Sequence, residues 1–305
     1  MSAKFTHAFS MKKIPIVFTF DSRVIFGASA AIKSLLQSAG AETAYDIYVL
    51  HNGISKKYLE ALSTLIKPPH KITFKFVDKS LFKGVKKSGK SWTEIVYYRM
   101  FIPEALPHLD KAIYSDVDVF FKGDMAEAFE TNIDGYYWGG VKAEINSPEA
   151  VCHRHFPENK NEFIFWSDFM LVNCKKCREE KFFEKCMKNA FAFRDRLKFF
   201  DLDVLNLSAG EIAPMPLKYC VLEALFEFEK PEDCRDWKYL KKVYSAEELD
   251  AARKNPAIIH YAGQLGKPWH RKRPPQYWAE CANSLPKILK KRTLRDLRKK
   301  FFSKI

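Results

Sequence analysis

The first half of the chain moves between two hydrophobic rhythms. Residues 14–20, IPIVFTF, form an unbroken apolar run of the kind found in a strand buried on both faces. Asp21 and Ser22 follow as turn residues, and 26–39, FGASAAIKSLLQSA, has helical spacing. A second strand is expected over 45–53, YDIYVLHNG, ending in a turn. The stretch 55–66, SKKYLEALSTLI, opens on a helix-capping serine and continues with apolar residues at helical intervals. Clean alternation predicts a third strand over 71–78, KITFKFVD. Next comes a helix over 93–106, broken at Pro103, and a fourth strand over 111–124, KAIYSDVDVFFKGD.

The second half is less regular. Strands are expected at 135–144 and 165–177, with shorter ones at 202–210 and 258–263. Strands and helices alternating at intervals of roughly 30 residues predict an α/β fold on a parallel, doubly wound sheet. Ligands of such sheets bind beyond the carboxyl ends of the strands. Asp21, Asn52, Asp78 and the Asp116/Asp118 pair all fall at or near such ends.

Bulk composition narrows the picture. The 305 residues are 47% hydrophobic, enough for a large core. No apolar run reaches the roughly 18 residues of a membrane-spanning helix. The opening MSAKFTHAFSMKK lacks a signal-peptide core, and seven cysteines suit a reducing compartment, so a cytoplasmic protein is expected. Of the net charge of +14, residues 271–305 carry +10, from twelve Lys/Arg against Glu280 and Asp296. The chain therefore reads as a body, 1–270, and a basic tail, 271–305. Within the tail, 285–305 is amphipathic, with Leu294, Leu297, Phe301 and Ile305 on one helical face. It suits an anionic membrane surface; a solvated helix packed on the body and a nonspecific nucleic-acid tail are the alternatives. The body carries no recognisable nucleic-acid-binding motif.

The chemistry concentrates in two places. In YSDVDV, Asp116 and Asp118 interrupt an apolar strand where burial is expected, and buried carboxylates are costly unless paired. A hard divalent cation shared with substrate phosphates is the simplest stabiliser; two exposed acids at a strand end are the plain alternative. The second place is HYAGQLGKPWH, 260–270. His260 closes an apolar run, Gly263 allows close backbone approach to a ligand, and Lys267 offers a point charge for phosphate. Cys174 and Cys177 form a lone C-x-x-C with no second pair at zinc spacing, and are read as incidental.

YSDVDVFFKGD together with HYAG and KPWH resembles glycosyltransferase family 8, the retaining, metal-dependent sugar transferases of GT-A fold. The resemblance covers about residues 14–270 and is nearest the bacterial enzymes that extend the lipopolysaccharide or lipooligosaccharide core. It implies that Asp116, Asp118 and His260 bind Mn²⁺, or Mg²⁺, against the diphosphate of a UDP-sugar. An imidazole ligand independently favours Mn²⁺ over Mg²⁺. It further implies that Asp21 reads the uracil edge, with Thr19 beside the base. Arg99, Val117, Gly263 and Lys267 would contact the donor, and Asp201 and Asp203 would lie near the transferred sugar. The implied acceptor is a saccharide, free or lipid-linked, reached from the inner face of the bacterial membrane.

Three departures from the family pattern stand out. Trp166-Ser167-Asp168 replaces the usual Asn-Ser/Ala-Gly. Leu202 stands where relatives often carry glutamine. The His-to-Lys spacing is one residue longer, so a bulge is expected at Gln264–Gly266. Asp168 and Asp201 are the carboxylates left as candidates for a direct catalytic role. A non-catalytic nucleotide-sugar binder, a nucleic-acid-binding protein and a self-glucosylating primer are the rival expectations.

Overall fold

The computed structural model describes residues 11–88, 92–149 and 156–290. Seven strands make the main sheet, in the order β3-β2-β1-β4-β7-β6-β8. They are β1 (Lys12–Thr19), β2 (Thr43–His51), β3 (Lys71–Phe76), β4 (Lys111–Ser115), β6 (Trp138–Ile145), β7 (Phe163–Asn173) and β8 (Ala213–Met215). Three short strands, β5 (Val119–Phe121), β10 (Ile258–His260) and β9 (Val221–Leu222), form a second sheet in that order. Pairs β1/β2, β2/β3, β1/β4 and β6/β8 are parallel, while β7 runs antiparallel to both β4 and β6.

The apolar run of β1 is explained by burial on both faces. Ile14, Ile16 and Phe18 join a core cluster with Ile25, Ile32 and Leu35 of the helix Ile25–Gln37. Val17 points the other way, into a cluster with Tyr97, Tyr98, Val204 and Leu205. Because β1 to β4 are parallel neighbours, Thr19, His51, Phe76 and Ser115 end on one edge of the sheet, as the acids at these ends predicted.

Four expected elements differ. The run 202–210 is the helix Asp201–Ala209, not a strand. Nearly every residue of that helix is buried, so it lacks the polar stripe that separates a helix from a short strand in sequence. The strand expected over 111–124 splits into β4 and β5, in different sheets, with the acid pair in the turn between. The strand expected over 165–177 stops at Asn173, whose side chain caps the helix Cys174–Glu179. The expected helix at 93–106 is a tight 3₁₀ run, Glu94–Phe101, followed by one α turn, Ile102–Ala105, with Pro103 inside that turn's start.

Beyond residue 270 the chain stays with the body as far as it is described. Trp278, Ala282 and Leu285 pack with Trp269, Phe26, Ile259 and Tyr261, and Leu289 is fully buried. Gly27 makes room for this layer: a Cβ there would lie 2.5 Å from the ring of Trp269. Leu294, Leu297, Phe301 and Ile305, the rest of the expected amphipathic face, lie outside the described residues. Among the described residues no helix is long and apolar enough to cross a membrane, and Cys174 and Cys177 are free and buried.

Candidate active site

The site is built by backbone pairing at the seam between the two sheets. After Ser115 the chain leaves β4, and the Asp116 amide donates to the Asp168 carbonyl at 2.8 Å, extending the β4/β7 ladder by one step. Three residues on, Val119 pairs with His260 as β5 meets β10, and the Tyr261 amide donates to the Asp118 carbonyl at 2.8 Å. These two bonds bring residues of distant sequence positions around one point. Ligand atoms of Asp116, Asp118 and His260 all lie within 4.8 Å of one another. An octahedral ion with bonds of about 2.1 Å holds neighbouring ligands about 3 Å and opposite ones about 4 Å apart, so this donor set fits a small divalent cation.

The charges around that point compensate one another. Lys267 forms an ion pair with Asp118 and donates to the Tyr261 carbonyl at 2.9 Å. His260 Nε2 is 3.5 Å from Asp118 Oδ1. Burial acts to raise the Asp118 carboxyl, but Lys267 and His260 outweigh it and hold the group well below its ordinary value. Asp116 shifts the other way, to about 7, because burial, Asp168 and Asp118 outweigh the opposing pull of Arg99. His260 is held well above its ordinary value: burial opposes this, and Asp168 and Asp118 overcome it. The site thus gathers positive charge around its carboxylates, the demand a bound cation would also meet.

Arg99 is sealed beneath the site. It donates to the Val96 carbonyl, to Ser167 through its carbonyl at 2.7 Å and its hydroxyl at 3.1 Å, and to Asp116 Oδ1 at 2.8 Å; Asp201 Oδ2 is 3.2 Å away. Its guanidinium lies over the Tyr114 ring, 4.6 Å from the centroid. Arg99 therefore supports Asp116 from below. Asp201 accepts from Ser167 Oγ at 3.0 Å, and burial pushes its carboxyl up to about 6 against the pull of Arg99.

The other expected residues are distributed as follows. Thr19 Oγ1 lies 3.3 Å from the Tyr114 hydroxyl at the end of β1. Asp21 binds Arg23 through both carboxylate oxygens, and Arg23 reaches Thr93. Val117 is buried between the two acids. Gly263 has φ 91° and Gly266 φ 70°, so the loop between His260 and Lys267 turns on two left-handed glycines. Gln264 ties this loop to the Arg235 amide at 2.6 Å and the Asp233 carbonyl at 3.2 Å. Asp203 is one turn element away from Asp201: its Oδ2 accepts from the amides of Lys198 and Phe199, at 2.7 and 2.8 Å. Two positions apart on a helix, Asp201 and Asp203 point about 200° apart, so they do not act as one pair.

Three contributors escaped the sequence reading. Tyr114 donates to Asp116 Oδ1 at 2.5 Å; its place two residues before the acid, on the same strand face, was an available signal. Ser167 binds both Arg99 and Asp201. Cys220 Sγ lies 3.6 Å from His260 Nδ1, through the parallel pairing of β9 and β10, which no local pattern announces.

Comparison with known proteins places this geometry. Residues 15–273 match the model of glycosyl transferase family 8. A lipopolysaccharide 1,2-glucosyltransferase of Escherichia coli is 26% identical over 277 residues, which is 87% of this chain and 74% of that protein. The galactosyltransferase LgtC, solved with donor and acceptor sugar analogues, superposes with a TM-score of 0.72 at 20% identity, over 94% of this chain and all of that one. The bifunctional glycosyltransferase WbbM superposes with a TM-score of 0.71 at 22% identity, over 95% of this chain and 52% of that one. This chain belongs to glycosyl transferase family 8 and is a glycosyltransferase on its α/β, GT-A fold.

Proposed function

We propose that the protein moves a hexose, glucose or galactose, from a UDP-sugar to a hydroxyl of a lipopolysaccharide- or lipooligosaccharide-core acceptor, with retention at the anomeric carbon. The observation that carries this is the convergence of Asp116, Asp118 and His260 on one point with Lys267 beside it. Asp116, Asp118 and His260 would hold a divalent cation, Mn²⁺ before Mg²⁺. When bound, that ion neutralises diphosphate charge and acts as a Lewis acid for its departure.

The chain's own residues then have distinct tasks. Lys267, once drawn from Asp118 toward a diphosphate, supplies a fixed positive charge to the leaving group. Gly263 and Gly266 let the loop backbone approach that group closely. Asp21 and Thr19 take the uracil and its surroundings, with Asp21 exchanging Arg23 for the base edge. Leu202 carries no nucleophile, so same-face attack is favoured, in which the departing phosphate oxygen takes the acceptor proton. Asp168 and Asp201 are the carboxylates to test as covalent nucleophiles. The basic residues beyond 290 would hold the enzyme beside a lipid-linked acceptor on an anionic inner leaflet.

The deciding experiment incubates the protein with UDP-glucose or UDP-galactose, Mn²⁺ and core oligosaccharide, and measures UDP release and product linkage. Release that requires both metal and acceptor supports the reading. Nucleotide-sugar binding without turnover on any core acceptor overturns it. Recovery of the full chain on vesicles regardless of anionic lipid would remove the membrane part alone.

A further inference from the structure

The imidazole of His260 faces two different donor sets. Nε2 looks toward Asp118, at 3.5 Å. Nδ1 looks toward Asp168 Oδ2, at 3.3 Å, and Cys220 Sγ, at 3.6 Å. One ligand atom from each of Asp168, Cys220 and His260 lies within 4.8 Å of the others. Cys220 and His260 are almost completely buried, and the Asp168 side chain is 20% exposed.

We infer that Asp168, Cys220 and His260 Nδ1 form a second cation site, selective for a borderline-soft divalent ion such as Zn²⁺. A carboxylate, a thiolate and an imidazole, with water in the fourth place, make a tetrahedral zinc donor set; hard cations gain little from sulfur. On binding, the Cys220 Sγ–H bond and the Nδ1–H bond of the His260 imidazolium break, both protons pass to solvent, and the sulfur and nitrogen lone pairs go to the metal; no electrons are exchanged.

The site also regulates its neighbour, a consequence that rests on the hard-cation reading above. A neutral imidazole offers one lone pair. A cation on Nδ1 leaves the proton on Nε2, which then donates toward Asp118 and cannot ligate there. A cation on Nε2 leaves the proton on Nδ1, facing Asp168. Zinc on the thiol side and manganese on the acid-pair side therefore exclude each other through the tautomer of one ring.

The test uses full-length, chelator-stripped protein titrated with Co²⁺ without oxygen, following the thiolate-to-cobalt charge-transfer absorption. The band should saturate at one equivalent, be bleached by one equivalent of Zn²⁺, and be absent in Cys220→Ser. Asp168→Asn, which keeps the thiol, should weaken Co²⁺ binding by roughly tenfold or more. Circular dichroism confirms folding, with Cys220→Ala as the apolar replacement if the serine variant does not fold. No band in the folded wild type, or an undiminished band without Cys220, overturns the site. Paramagnetic resonance of Mn²⁺ reads the exclusion: one equivalent of Zn²⁺ should release Mn²⁺ from the wild type, whereas Cys220→Ser should need roughly tenfold more, by direct competition at the acid pair; equal Zn²⁺ demand in both overturns the exclusion. A protein that gives the cobalt band but binds no Mn²⁺ keeps this site and removes the hard-cation reading.

Discussion

Arg99 Nη2 donates to Asp116 Oδ1 at 2.8 Å, with the Arg99 side chain 5% exposed. The same group faces Asp201 and the Ser167 carbonyl, so one buried cation underpins two carboxylates and the backbone of β7. Truncation to Arg99→Met would leave those acids buried without their partner. The expected loss is about 3–5 kcal/mol in chemical unfolding. Arg99→Lys should recover only part of it, since a point charge cannot reproduce the planar fork.

Asp118→Asn tests the chelate directly. It removes one candidate ligand while keeping the shape of the turn. Mn²⁺ affinity should fall at least about 100-fold, read by paramagnetic resonance, with a comparable fall in UDP release. Wild-type Mn²⁺ affinity in this variant would separate Asp118 from metal binding.

Gly263 sits at φ 91°, and a Cβ there would approach Arg235 at 3.4 Å. Gly263→Ala should cost about 1–2 kcal/mol in the loop's native conformation. Since that loop carries Lys267, the variant should weaken nucleotide binding by several-fold in calorimetry while leaving the melting temperature within a few degrees.

Asn206 copies a strand with its side chain. Its Oδ1 accepts from the Phe165 amide, and its Nδ2 donates to the Phe165 and Leu202 carbonyls, each at 2.9 Å. Asn206→Ala strands buried backbone groups on β7 next to Trp166-Ser167-Asp168. Unfolding should show a loss of about 2–4 kcal/mol. Asn206→Asp, which keeps the acceptor geometry but donates nothing as a carboxylate, should not restore it.

Glu104 supplies a pH dependence remote from the site. Burial pushes its carboxyl up to about 7 against the pull of Arg178, and its Oε2 has no hydrogen-bond partner among the described residues. The folded state thus holds a proton that the unfolded chain releases at lower pH. Stability from this group is full below about pH 4.5 and declines as pH rises through about 7. Allowing for partial exposure, the decline is on the order of 1–2 kcal/mol. Melting curves from pH 5 to 8 should show it, and Glu104→Gln should flatten it.

Much of the fold was legible because its strands are short apolar runs cut by turn residues. Positions 14–20, 45–53 and 71–78 needed no tertiary information, and their common carboxyl edge followed from parallel order. The acid pair and His260 were legible for a different reason: polar residues ending apolar runs are costly unless they serve something. The helix Asp201–Ala209 was not legible, because burial on all sides erases the stripe that marks a helix. Arg99 as a support beneath Asp116, and Cys220 behind His260, were hidden for a third reason. Each depends on pairing between segments more than ten residues apart, which a linear pattern does not encode.

The acids stand where the chain crosses from one sheet to the other, with Asp116 tied to β7 and Asp118 tied to the residue after β10. Their spacing is therefore a gauge of how the two sheets lean on each other. A substitution far away in either layer that tilts one against the other would open or narrow the jaw without touching an acid, and cation affinity would register the tilt before overall stability did.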